Sequence, residues 1–272
     1  MVNFIGIGPP KSGTSWLHKN LKKIKEIELP NEKEVNFFLS NKKFKKGINW
    51  YLNKFKDKSK INGEISSGYI YLNESRIRLI KKLFPNLKII IFIRNPLERL
   101  ISEFYFQKVY KKKSIDKFDL FIKKKNEENK LYLSNHILKF RKFFHLKNFY
   151  LVDFEKIKKN PEMLIKEILF FLNAKNPNIK VHGLTQVVGK SFNPRYKKID
   201  RIRIKLHSYL SKQERFGFIL NIIKGSKISN FYRLINNKKM DNIKYNHENL
   251  KAKLAHDLLE INKIFNCNFK YW

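Results

Sequence analysis

Several things are scarce in this chain, and each scarcity removes a class of protein. Cys267 is the single cysteine among 272 residues. No intrachain disulfide can form, so the fold must rest on an apolar core and the chain suits a reducing compartment. The thiol itself reads as a small buried apolar group. No stretch approaches the ~18 uninterrupted apolar residues of a membrane-spanning helix. The apolar run that opens at Val2 leaves no room for a cleaved leader. A cytoplasmic protein without a transmembrane segment is expected.

Acidic residues are also few, 23 against 59 Lys and Arg, for a formal charge of +36. The lysines are scattered along the chain and do not form a tail, and Lys, Asn, Ile and Phe are abundant together, as A/T-rich codons would make them. Most of the charge therefore belongs on solvated faces, while its field attracts acidic substrates and gives weak association with anionic surfaces. No helix-turn-helix, RNP-like strand or zinc signature is present, so no specific nucleic-acid partner is expected. The seven histidines show no i, i+4 pairing and no metal is implied; His18 alone lies beside a motif.

What is present is globular: 42% hydrophobic residues, with 24 Phe and 12 Tyr, enough to bury the core of one α/β domain over 1–272. Val2–Ile7, Ile61–Glu64, Lys88–Ile93 and Phe149–Asp153 read as strands, and the β-branched Lys88–Ile93 as one covered on both faces. Helices are expected from about Thr14 to Ile24, over Glu74–Phe84, from Pro96 to about Tyr110, over Tyr132–Phe144, from Pro161 after an Asn160 N-cap, and over Leu250–Ile264. The helix after Asn160 would bury Met163, Ile165, Ile168, Leu169 and Leu172. Residues 31–39 are irregular or briefly helical, and 197–247 form a basic, variable helical excursion. Alternating strands and helices give an α/β class: a P-loop-like three-layer α/β/α arrangement around a mostly parallel sheet.

The most informative segment is Gly8-Pro9-Pro10-Lys11-Ser12-Gly13-Thr14-Ser15-Trp16-Leu17. A strand, a small-residue loop and a helix start direct backbone N–H groups and a helix N-terminus at one point, a place for phosphate or sulfate. Lys11 adds a mobile charge, and Ser12, Thr14 and Ser15 add hydroxyls. Gly8 and Gly13 have the spacing of a Walker-type loop, but Thr14 stands where its Lys belongs. A nucleotide or small-molecule kinase is thereby the rival enzyme, and a basic polyanion-binding module the rival from another class. The second segment, Arg94-Asn95-Pro96-Leu97-Glu98-Arg99-Leu100-Ile101-Ser102, ends the Ile-rich strand, where open α/β sheets collect ligands. An Arg fork and a hydroxyl two turns later make a clamp for a phosphate monoester.

Together the two segments resemble the 5′-phosphosulfate loop and the 3′-phosphate motif of sulfotransferases that use 3′-phosphoadenosine 5′-phosphosulfate (PAPS). The resemblance implies that Lys11, Ser12, Gly13, Thr14 and Ser15 hold the 5′ end and that Arg94 and Ser102 hold the 3′-phosphate. Arg99 would brace the site, and Trp16 would pack on the adenine or in the core. No metal is implied. Lys33-Glu34-Val35-Asn36-Phe37-Phe38 resembles the base-bearing segment of heparan sulfate N- and 3-O-sulfotransferases and their bacterial relatives. On that likeness Glu34 takes the acceptor proton, its pKa raised by apolar neighbours, with Glu32 the local alternative and Lys33 and Asn36 near the acceptor; Asn36 stands where the family often has His. Gly63-Glu64-Ile65-Ser66-Ser67-Gly68-Tyr69 occupies the place of an acceptor-contacting segment, with Ile65 replacing its Lys, so Glu64 and Ser66 would orient an acceptor. Val188–Tyr196 resembles the late loop that closes over the nucleotide, which gives Lys190 and Arg195 phosphate or sulfate contacts. The expected function is sulfuryl transfer from PAPS to a hydroxyl or amine of an acceptor, a glycan by this likeness, leaving 3′-phosphoadenosine 5′-phosphate (PAP).

Overall fold

The computed structural model describes residues 1–110, 117–178, 181–184, 196, 199, 202 and 248–271. The lysine-rich turn after Tyr110, Lys190 and Arg195 of the late loop, and nearly all of 197–247 lie outside these residues. Two compact units divide the chain: Met1–Glu103 with Asp119–Gly189 and Asn246–Trp272, and Phe104–Phe118 with Lys190–Tyr245. The described part of the second unit is aromatic: Phe104 tilts against Tyr105 and meets Phe118 edge-on.

The first unit is built on a five-stranded sheet in the order β2-β3-β1-β4-β5. Its strands are β1 (Phe4–Ile7), β2 (Ile27–Glu28), β3 (Ile61–Ile65), β4 (Lys88–Ile93) and β5 (Phe149–Asp153). Every pairing is parallel, with Ile7 opposite Ile91 and Ile93 opposite Asp153. Parallel neighbours need crossovers, and helices supply them. Side chains alternate across a strand, and β4 shows the result. Ile89, Ile91 and Ile93 face one buried cluster, while Ile90 and Phe92 face another.

Helices cover both faces. On the Ile91 side lie α3 (Gly47–Leu52), α4 (Glu74–Leu83), α7 (Ser134–Arg141) and α10 (Glu248–Phe265), through Tyr51, Ile77, Ile80, Ile137, Phe140, Leu258 and Ile261. On the Phe92 side lie α1 (Thr14–Leu21) and α9 (Pro161–Phe171), through Leu17, Leu21, Leu164, Ile165 and Ile168. The three-layer parallel architecture read from the sequence is the one found.

Most expected elements are present, somewhat shortened: α1 stops at Leu21, and α7 spans the middle of the stretch expected to be helical. Asn160 caps α9 by accepting from the Met163 amide at 3.2 Å, with Pro161 in the first turn. The buried stripe of α9 differs by one position: Met163 is exposed and Leu164 fills the core. Pro161, Leu164, Ile165 and Ile168 share one buried helix face, and position 163 falls off it. Not foreseen were the short elements β2, α2 (Asn41–Phe44), α3 and α8 (Phe154–Lys159), and the ten-residue α6 (Phe118–Glu127). α5 (Pro96–Tyr110) has its expected bounds.

β1 and β3 approach so closely that Gly63 is obligatory. A Cβ there would sit 2.2 Å from the Phe4 ring. Gly63→Ala is expected to cost about 1–3 kcal/mol by overpacking, read as a lower urea midpoint at unchanged slope; an unchanged midpoint would show that Phe4 has room to move.

Candidate active site

The carboxyl edge of the sheet gathers the motifs, as in open α/β folds generally. The chain leaves β1 at Ile7 and turns through Pro9–Gly13 into α1. Two residues of that turn are left-handed, Lys11 at φ 69° and Gly13 at φ 97°. A Cβ on Gly13 would lie 2.5 Å from Ile157 Cδ1 of α8, so glycine is required by space as well as by φ. Gly13 caps α1 without any side-chain hydrogen bond. The first-turn amides thus face the loop with their partial positive charge.

β4 is paired directly with β1, so Arg94 emerges beside this turn. Its Nη1 donates to the Lys11 carbonyl at 2.8 Å and its Nη2 to Glu98 Oε2 at 3.2 Å. The guanidinium carbon stands 4.4 Å from the Phe154 ring centroid. The two segments read separately in the sequence therefore form one locus. Burial, and then the Arg94 charge, push the Lys11 ammonium pKa down, with Glu103 opposing. An anion placed there would relieve the repulsion between the two cations.

Behind the locus, Arg99 is 3% exposed. It donates to Glu103 Oε2 at 3.2 Å, and Lys125 of α6 closes on the other carboxylate oxygen. This buried cluster ties α5 to α6, the bracing position expected of Arg99. Asn95 Oδ1 accepts from the Glu98 amide at 3.1 Å and so caps α5. Ser102 lies one and a half turns along the helix and is half-buried.

Trp16 is 3% exposed and donates its indole N–H to the Leu184 carbonyl at 2.7 Å. Of its two readings, the core is where it sits. Ser15 is half-buried at the start of α1, and Thr14 beside it is buried.

The third segment lies between β2 and α2. Glu34 and Asn36 are both left-handed, at φ 61° and 54°. Glu34 Oε1 accepts from Ser67 Oγ at 2.8 Å and from Lys33 Nζ at 3.0 Å. Its pKa corrects the expectation from sequence. Burial raises it as foreseen, but the Lys33 charge and the hydrogen bonds from Ser67, Lys33 and Asn36 together outweigh burial, and the net shift is downward. Glu34 is ionised at neutral pH.

A second correction concerns Glu64 and Ser66. Glu64 is 1% exposed and Ser66 fully buried. Glu64 accepts from Tyr51 and Tyr69 hydroxyls on Oε1 and from Ser66 Oγ on Oε2, each at 2.7 Å. Neither residue is open to an acceptor, because β3 is an interior strand with both faces covered. Ser67, Tyr69, Tyr51 and Phe154 were missed as contributors. Ser67 and Tyr69 stand within a segment singled out from sequence, but only the folded chain shows what they touch.

The match to a family model described as Sulfotransferase domain runs over residues 3–245. The chain belongs to the sulfotransferase domain family. Among its relatives is the heparan sulfate glucosamine 3-O-sulfotransferase 5 of Mus musculus, 28% identical over 65% of this chain and 55% of that protein. Another is the bifunctional heparan sulfate N-deacetylase/N-sulfotransferase 1 of Caenorhabditis briggsae, 24% identical over 74% of this chain and 28% of that protein. The chain thus spans about half the length, or less, of these curated relatives. A sulfotransferase crystal structure from Alicyclobacillus acidocaldarius shares the fold, with TM-score 0.64 at 15% identity, over 99% of this chain and 97% of that one.

The residues present fit the nucleotide. Ser12 Oγ and Arg94 Nε are buried polar atoms with no hydrogen-bond partner, costly unless a ligand engages them. Both lie at the locus that the sulfotransferase motifs assign to its phosphates.

His18 follows the loop by one helical turn. Burial, with Lys33 and Lys22 adding repulsion, pushes its pKa down from 6.5 to about 4. Its Nε2 is buried without a partner. The unfolded chain protonates this imidazole below about 6.5 and the folded one only below about 4. Stability is therefore intact above that window and falls as pH drops through it. Between pH 7 and pH 5, urea unfolding should show His18→Asn losing about 2 kcal/mol less than the wild type. Equal losses would mean that the imidazole is solvated.

Proposed function

We propose that this sulfotransferase modifies a glycan hydroxyl or amine, with Glu34 as the base and Lys11 as the group that stabilises the departing phosphate. Three features support the glycan class. The Lys33–Phe38 segment resembles the base segment of heparan sulfate sulfotransferases, the relatives above are named for heparan sulfate, and a charge of +36 favours an acidic acceptor. The single cysteine supports a reducing compartment, the cytoplasm, as its location.

The observation that carries the catalytic reading is the bond from Arg94 to the Lys11 carbonyl. It brings the segment read as a 3′-phosphate clamp against the segment read as a 5′-phosphate loop, which supports one nucleotide site. The loop amides with Ser12, Thr14 and Ser15 would hold the 5′-phosphate, and Arg94 with Ser102 the 3′-phosphate. The donor supplies an activated sulfuryl group on a bisphosphate leaving group.

Lys11 would neutralise the charge that gathers on the phosphate oxygen as its bond to sulfur breaks. Glu34 would receive the acceptor proton. An alcohol is a poor acid until its oxygen bonds sulfur, so the proton leaves late and a weak but fully ionised base suffices. Lys33 and Ser67 keep Glu34 in that form. Asn36 would contribute at the acceptor side through its amide, whose Oδ1 is unpartnered.

Radiolabelled PAPS screened over glucosamine-containing oligosaccharides, lipids and peptides tests the acceptor class, and labelling confined to lipids or peptides would refute it. Lys11→Ala should lower turnover by two to three powers of ten, about 3–4 kcal/mol of transition-state stabilisation. Glu34→Gln should abolish transfer while PAP still raises the melting temperature as in the wild type. Full turnover in Lys11→Ala, or lost PAP stabilisation in Glu34→Gln, would contradict the assigned roles.

A further inference from the structure

We propose that Glu64 is a positioning residue, a buried carboxylate that fixes the backbone of the loop carrying Glu34 through two hydroxyl relays. The proposal rests on the reading of Glu34 as the base. The first relay runs from the Asn36 amide to Ser66 Oγ at 3.1 Å and from that hydroxyl to Glu64 Oε2 at 2.7 Å. The second runs from the Phe38 amide to the Tyr69 hydroxyl at 3.2 Å and on to Glu64 Oε1 at 2.7 Å. Tyr51 donates to the same Oε1.

The physical content lies in the polarity of these chains. The Glu64 oxygens accept from all three hydroxyls, so Ser66 and Tyr69 each commit their one proton to the carboxyl. Their oxygens are left as acceptors, and the two loop amides are the donors that reach them. A hydroxyl without that constraint could rotate and present its proton to the amide instead. Glu64 thereby decides which way both hydroxyls point, and through them where residues 36 and 38 are held.

The loop needs such anchors. Glu34 and Asn36 both occupy the left-handed region, a conformation that non-glycine residues keep only when their surroundings impose it. Further supports include the bond from Ser67 Oγ to Glu34, a bond from Lys43 Nζ to the Val35 carbonyl at 2.7 Å, the Ser40 amide on the Asn36 carbonyl at 2.9 Å, and the stacking of Phe37 on Tyr51, centroids 4.8 Å apart. Tyr51 thus touches both the carboxylate and the loop's aromatic anchor. Glu64 sits on β3, so the base loop is tied to an interior strand of the sheet.

The charged and titratable groups facing Glu64 are Tyr51 of α3, Tyr69 of the 3-10 turn after β3, and Lys43 of α2. Those facing Glu34 are Lys33 on its own loop, with the hydroxyl of Ser67 and the amide of Asn36. Burial raises the Glu64 pKa while its three hydroxyl donors oppose the rise.

The test reads Glu34 directly, in the full chain saturated with PAP. Carbon-13 carboxyl NMR gives the Glu34 titration, and hydrogen exchange gives protection of the Asn36 and Phe38 amides. Glu64→Gln, nearly isosteric, and Ser66→Ala, which removes one relay, are compared with the wild type. Each should raise the Glu34 pKa, because the hydrogen bonds from Ser67 and Asn36 loosen while burial persists. Each should also speed exchange at Asn36 by about tenfold or more, with the melting shift caused by PAP unchanged.

Unmoved titration and protection in a folded Ser66→Ala would overturn the proposal even if Glu64→Gln failed to fold. General destabilisation would instead lower the melting temperature without moving Glu34. Turnover of Glu34→Gln is the separate control. Retained transfer there refutes the base assignment, whereas lost transfer with an unmoved Glu34 titration refutes only the role of Glu64.

Discussion

The pairing of β4 beside β1, with Ile7 opposite Ile91, is the constraint on which the site depends. Two parallel neighbours end at the same edge of the sheet. The loop leaving one and the arginine leaving the other must therefore meet, and the bond from Arg94 to the Lys11 carbonyl is the consequence. Covered on both faces, the strands have no freedom to slip, since a shift by one residue would turn Ile89, Ile91 and Ile93 into the wrong cluster. Apolar packing thus fixes where the charges stand.

Around that constraint the polar interior divides into two devices. Arg99, Glu103 and Lys125 are buried together under the nucleotide locus. Such a cluster adds little net stability compared with apolar packing, but it holds α5 in one orientation and sets a fixed field near Lys11. On the other side, Glu64 with Tyr51, Tyr69 and Ser66 supports the base loop. In the proposed reaction one device would serve the departing phosphate and the other the incoming acceptor.

The parts legible in sequence are those written in contiguous residues. Lys88–Ile93 declared itself by its β-branched run, α10 by its stripe of Leu250, Leu254, Leu258 and Ile261, and the nucleotide loop by its small residues before a helix. Glu34 was legible as a candidate, but its environment was not. Burial raises its pKa as expected, yet Lys33 next to it and Ser67 from after β3 reverse the sign of the shift. Glu64 was misread for a related reason: in sequence it is a charged residue at a strand end, and only the sheet order makes β3 an interior strand. Two- to six-residue elements such as β2 and α3 escaped because they are too short to show a period.

The central claim is that one bisphosphorylated nucleotide is gripped at both ends, by the Lys11 loop and by Arg94. Calorimetric titration of the wild type and Arg94→Ala with PAP and with adenosine 5′-phosphate, which lacks only the 3′-phosphate, tests it most directly. Loss of a charged hydrogen bond of about 1.5–3 kcal/mol should weaken PAP roughly 10- to 100-fold more than adenosine 5′-phosphate, whose smaller loss reports the freed Lys11 carbonyl. Equal weakening of both nucleotides, or of neither, would contradict the claim.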